Sequence, residues 1–139
     1  MTLKEKFYEL LYVDARSAAA GSLGVLLSYN VATKPRCVFY QNTPKEPQLP
    51  LITYFINTQT GYFPREIYIS VTAWGEGSQI NPVLERVWDI LQKAAESFGT
   101  LTDFSLKQIV FDWSGPEVYD PDLKCYYQQY RFKLIAVRI

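Results

Sequence analysis

Between residues 65 and 74 (REIYISVTAW) apolar and polar positions alternate one by one. Ile67, Ile69, Val71 and Ala73 share one face, and Glu66, Tyr68, Ser70 and Thr72 the other. A period of two predicts a half-buried strand. The preceding run, 51–57 (LITYFIN), is rich in β-formers and predicts a second strand. The linker TQTGYFP, with Gly61 and Pro64 as turn formers, predicts a hairpin whose tip carries Tyr62 and Phe63. Two aromatics at a tip are costly in water without a partner. Residues 36–40 (RCVFY) read as a short strand, followed by QNTPKEPQLP, whose three prolines in ten residues forbid regular structure. Residues 106–113 (LKQIVFDW) predict a strand with Ile109, Phe111 and Trp113 on one face. The run YYQQYRFKLIAVRI predicts a last strand, with Tyr130, Phe132 and Leu134 on one face and Arg131, Lys133 and Ile135 on the other.

Two stretches follow a helical period. Leu3, Phe7, Leu10 and Leu11 lie on one helix face, with Thr2 as N-cap and Glu5 completing a capping box. Val83, Leu84, Val87, Trp88, Leu91, Ala94, Ala95 and Phe98 form a wide apolar stripe. Asn81-Pro82 predicts the start of that helix and Gly99 its end. The order is therefore α-β-β-β-α-β-β. There is no internal repeat, low-complexity tract or linker. The expectation is one α+β domain over residues 1–139, a mostly antiparallel sheet packed by two helices.

Composition narrows the function. The chain has 139 residues, 16% aromatic, with a formal net charge of zero and no histidine. A neutral chain argues against a dedicated duplex-DNA binder. Missing histidine removes the usual general base and the commonest metal ligand. The sequence has no apolar run long enough for a membrane helix, and the N-terminal MTLKEKFYELLYVDAR lacks the apolar core of a signal peptide. Cys37 and Cys125 sit in strand-like context, which predicts two buried thiols in a reducing compartment.

Three constellations could carry chemistry, and each has a plainer reading. Asp120-Pro121-Asp122 pairs two carboxylates, as a carboxylate-only hydrolase or metal site would, but it lacks further ligands and also reads as a turn. Gly75-Glu76-Gly77 precedes a helix like a phosphate cradle, yet Glu76 would repel an anion. The tyrosine-rich strands beside a basic terminal strand invite a single-stranded nucleic-acid binding module. The element order is not that of an RNA recognition motif, and core or interface aromatics serve as well. No enzyme activity and no cofactor is expected.

A family resemblance lies in three segments. Pro50-Leu51-Ile52-Thr53-Tyr54 makes one strand; Ile69-Ser70-Val71-Thr72-Ala73-Trp74 makes another, followed by a small-residue turn and a helix. Glu117-Val118-Tyr119-Asp120-Pro121-Asp122 then leads into the aromatic, basic strand from Tyr127 to Arg138. Over residues 36–139 the chain resembles the tail terminator (tail completion, head-tail joining) proteins of long-tailed phages, prophages and gene transfer agents. Head-tail adaptors and stoppers of the phage neck have overlapping size and fold. The resemblance implies a non-enzymatic virion protein of the tail-neck region, assembled in the host cytoplasm. It implies a homo-oligomeric ring, usually a hexamer, that caps the tail tube and stops its polymerisation. The implied partners are the tail tube protein and the head connector, with DNA passing transiently through the lumen.

Charge segregation fits a ring. Residues 112–122 hold four acids and no base, and residues 124–139 hold four bases and no acid. A heterologous interface sets one patch against a different patch on the neighbour. The expected interface residues are Tyr62, Phe63, Arg65, Glu117, Tyr119, Asp120, Asp122, Arg131 and Lys133. The plainer alternative is that the bases solvate an outer sheet face and the acids form a soluble loop.

Overall fold

The computed structural model describes residues 3–58, 65–95 and 104–138. Along the chain run α1 (Leu3–Ala15), α2 (Leu23–Leu26), β1 (Val38–Tyr40), β2 (Leu51–Thr58), β3 (Arg65–Gly75), α3 (Gly77–Ala95), β4 (Phe104–Ser114), β5 (Val118–Asp120) and β6 (Cys125–Arg138). The described strands form one six-stranded sheet in the order β1-β2-β3-β6-β4, with β5 paired to β6 beside β4. All pairings are antiparallel except β1 with β2. The α+β class and the main element order are as the sequence predicts.

Burial explains the register. Ile67, Ile69, Val71 and Ala73 of β3 are buried, as are Phe132 and Leu134 of β6 and Ile52 and Tyr54 of β2. Against this face pack Phe7 and Leu11 of α1, Leu23 and Leu27 around α2, and Val83, Leu84, Val87 and Leu91 of α3. Slipping any central strand by one residue would turn its apolar set to water, so the pairing is strongly specified. The alternate residues, among them Phe55, Tyr68, Ser70, Arg131 and Lys133, project from a face that no described helix covers.

Four details differ from the sequence reading. α3 starts at Gly77, four residues before Asn81. The Gln79 side chain accepts the Glu76 N–H at 2.9 Å, which satisfies an N-terminal donor and starts the helix early. Pro82 then falls within the second turn, where it can supply no N–H. Second, a bulge between Phe111 and Trp113 shifts β4, so Phe111 opposes Phe132 but Trp113 opposes Arg131. Trp113 therefore joins the helix-free face instead of sharing one with Ile109 and Phe111. Third and fourth, α2 and β5 are added elements, too short for periodicity to reveal. The capping role of Thr2, the Phe98 end of the long helix and Gly99 lie outside the described residues.

Two polar clamps hold the periphery. Asp14 at the end of α1 accepts two hydrogen bonds from Arg86 of α3, at 2.7 and 2.9 Å, and one from the Leu23 N–H at 2.8 Å. Burial by itself raises this carboxyl. The Arg86 and Leu23 hydrogen bonds and the charges of Arg86 and Lys93 outweigh it and hold Asp14 below its ordinary value of 3.8. The ionised form is thus favoured by folding, and its contribution is present above that pH and lost as pH falls through the lowered value. Asp14→Ala is expected to cost about 2 kcal/mol at neutral pH, since it strands Arg86 and the Leu23 N–H. Urea midpoints of the two proteins should converge as pH falls through the lowered value and Asp14 becomes protonated. An undiminished gap there would refute the clamp. In the second clamp, buried Lys34 donates to the carbonyls of Leu27 and Pro50, each at 2.6 Å. Burial pulls its ammonium below its ordinary pKa. Cys37 and Cys125 are free, buried thiols, each pushed up by burial.

Candidate assembly surfaces

The expected interface residues fall into separate places. Tyr62 and Phe63 lie outside the described residues. Arg65 opens β3, opposite Ala136. Glu117, Tyr119, Asp120 and Asp122 belong to β5 and the segments flanking it. Arg131 and Lys133 lie on the helix-free sheet face.

On that face Arg131 is engaged in its own chain. Its Nε donates to Asp112 Oδ2 at 2.6 Å, and its guanidinium stands 5.3 Å from the Tyr68 ring and 5.7 Å from the Trp113 ring. The β4 bulge makes this possible by bringing Asp112 and Trp113 alongside Arg131. Lys133 has interactions of its own. The first acid of the acidic segment and a central base of the basic strand thus neutralise each other within one chain.

The β5–β6 turn is stiff. The Asp120 carboxylate accepts the N–H groups of Asp122 at 2.9 Å and Leu123 at 3.1 Å, an Asx turn. Lys124 takes the left-handed conformation, with φ of 53°. This is the turn reading of Asp120-Pro121-Asp122: one carboxylate is engaged by its own backbone. Among the described residues no group of three or more Asp, Glu or Cys side chains is placed to hold a metal ion. Tyr119 and Tyr126 stand exposed on the hairpin, with ring centroids 5.1 Å apart. Glu117 and Asp122 flank them and form no ion pair among the described residues.

Sequence reasoning misses a second surface at the opposite edge of the sheet. An open cavity of about 440 Å³ lies between α1 and β1–β2. The i,i+4 spacing of Lys4 and Tyr8 on α1 and the tyrosines at 40 and 54 are its only sequence signals, and the fold alone brings them together.

No protein-family model and no curated protein matches the chain. The fold, however, is shared with a chain in the virion of a native gene transfer agent (GTA) particle, with a TM-score of 0.52 at 11% identity. The likeness covers 93% of this chain and 92% of that one, so the two share an architecture from end to end. At this identity the shared property is the fold.

Proposed function

We propose that this chain is a structural protein of a phage-like virion, and more narrowly a tail terminator that forms a ring on the end of the tail tube. The observation that carries the proposal is the end-to-end fold likeness to a chain of a gene transfer agent virion. The strand and turn motifs that resemble tail terminators narrow it from virion protein to terminator. On this reading the ring stops tube polymerisation, presents a joining surface to the head connector and lets DNA pass. Such work is done by surfaces, with no catalytic group required.

The test pairs mass with function. Light scattering after size exclusion should show a species near six times the 16.1 kDa of one chain, alone or after mixing with tail tube protein. Substoichiometric addition should shorten tubes grown from tube protein. A chain that remains monomeric in both settings and leaves tube length unchanged is not a terminator.

The helix-free face gives a single-strand binding reading one observation in its favour, the stack of Tyr68, Arg131 and Trp113. Against it, Asp112 cancels the cation that would meet a phosphate. Oligonucleotide binding that weakens with salt and with Trp113→Ala would favour this second reading.

A further inference from the structure

Tyr54 is 2% exposed, yet no described residue hydrogen-bonds its hydroxyl. Its ring is held by Phe7 at 5.3 Å, Tyr40 edge-on at 5.1 Å and Tyr8 at 6.5 Å. A buried hydroxyl without a partner costs roughly 1–3 kcal/mol and demands a reason. Tyr54 helps line the cavity of about 440 Å³, together with Lys4, Glu5, Tyr8, Arg36 and Tyr40. Lys4 Nζ stands 3.7 Å above the Tyr40 ring. Neither Lys4 nor Arg36 has a carboxylate partner among the described residues. Three phenols and two such cations, against the single carboxylate of Glu5, suit an aromatic group that arrives with acids.

The β5–β6 hairpin of this chain has that chemistry. It presents Tyr119, 51% exposed, and Tyr126, 42% exposed, beside Glu117 and Asp122, which form no ion pair among the described residues. Its turn is already fixed by Asp120 and Lys124, so little order is lost on docking. The hairpin cannot reach its own cavity. Four strand spacings separate β1 from β5 across the sheet, roughly 19 Å at the usual interval.

We propose that the hairpin of one copy of this chain seats in the α1–β1 cavity of the next copy, Tyr119 among the phenols and Glu117 and Asp122 against Lys4 and Arg36. Two unlike patches on opposite edges make a heterologous contact, which repeats head to tail and closes into a ring or extends. The proposal deepens the ring reading, but its test stands apart from it.

The test places the photoreactive analogue p-benzoylphenylalanine at Tyr119, an exposed position, and irradiates a mixture with an isotope-labelled parent chain at high concentration. Cross-links to labelled peptides containing Tyr8, Tyr40 or Tyr54 are the expected result, reduced about tenfold in the labelled double variant Lys4→Glu, Arg36→Glu. Cross-links to other surfaces, or none, overturn the docking. A second measurement mixes Lys4→Glu, Arg36→Glu with Glu117→Lys, Asp122→Lys. Each variant alone sets like charges against each other and should stay monomeric, whereas in the mixture both contacts pair opposite charges, so assembly should return; a mixture that stays monomeric would overturn the docking. Rings that survive in both variants would overturn the docking and leave the ring. Cross-links in the expected place without any ring would keep the docking and sink the ring.

Discussion

Phe132→Ala is expected to lower the unfolding free energy by about 3–5 kcal/mol, the range for deleting a fully buried aromatic. Phe132 is wholly buried in β6, the strand that pairs with β3, β4 and β5. Its ring stacks on Trp88 of α3, with centroids 5.3 Å apart and an interplanar angle of 15°. Phe111 meets it edge-on at 5.7 Å from β4. One side chain thus joins the long helix to two neighbouring strands. Proteins of this size have only about 5–15 kcal/mol of stability, so the variant should sit close to its unfolding threshold. Urea unfolding followed by tryptophan fluorescence reads this directly, because Trp88 reports the site. A loss below about 1.5 kcal/mol would mean that the core is less closely packed than described, and Phe132→Leu should keep most of the stability.

The second large effect comes from a single added methyl group. Gly24 is buried in α2, and a Cβ there would run into the backbone of Ser17, at its carbonyl oxygen, nitrogen and carbon. Backbone cannot swing aside as a side chain can, so Gly24→Ala is expected to cost about 3 kcal/mol. Gly77→Ala is the internal control. Its Cβ would meet only the carboxylate of Glu117, at 3.0 Å, and that side chain can swing aside. Alanine also favours helix over glycine by up to about 1 kcal/mol, so Gly77→Ala should be neutral or stabilising. Thermal melts of the two variants side by side would check both, and equal melting temperatures would refute the contrast.

The core is legible in the sequence because its residues repeat. Ile67, Ile69, Val71 and Ala73 alternate, and the stripe from Val83 to Ala94 recurs turn after turn, so their periods stand out from local noise. The start of α3 is not legible, because Asn81-Pro82 carries the stronger local signal. The actual cap depends on a weaker one, the reach of Gln79 back to Glu76. Periodicity puts Trp113 on the wrong face because a bulge breaks the period without changing composition. The candidate assembly surfaces are half visible. The acidic, tyrosine-bearing hairpin is contiguous and can be read as a segment. The cavity draws Lys4 and Tyr8 from α1, Arg36 and Tyr40 from around β1 and Tyr54 from β2, a grouping that only the tertiary fold creates. For the same reason the Asp112–Arg131 pair is invisible in the sequence: the partners are 19 residues apart and meet only through the β4–β6 register.

The position of β6 bears on how the chain emerges from the ribosome. β6 lies between β3 and β4, although β3 ends at Gly75 and β6 begins only at Cys125. At typical elongation rates of about 5–20 residues per second, a finished β3 waits several seconds for its partner. Throughout that interval one edge of β3 has unpaired N–H and C=O groups, a template for any passing strand. α3, synthesised directly after β3, can cover one face of it but not that edge. Sheet closure therefore comes late in synthesis, and slowed translation between residues 76 and 124 would lengthen exposure to aggregation and to chaperones.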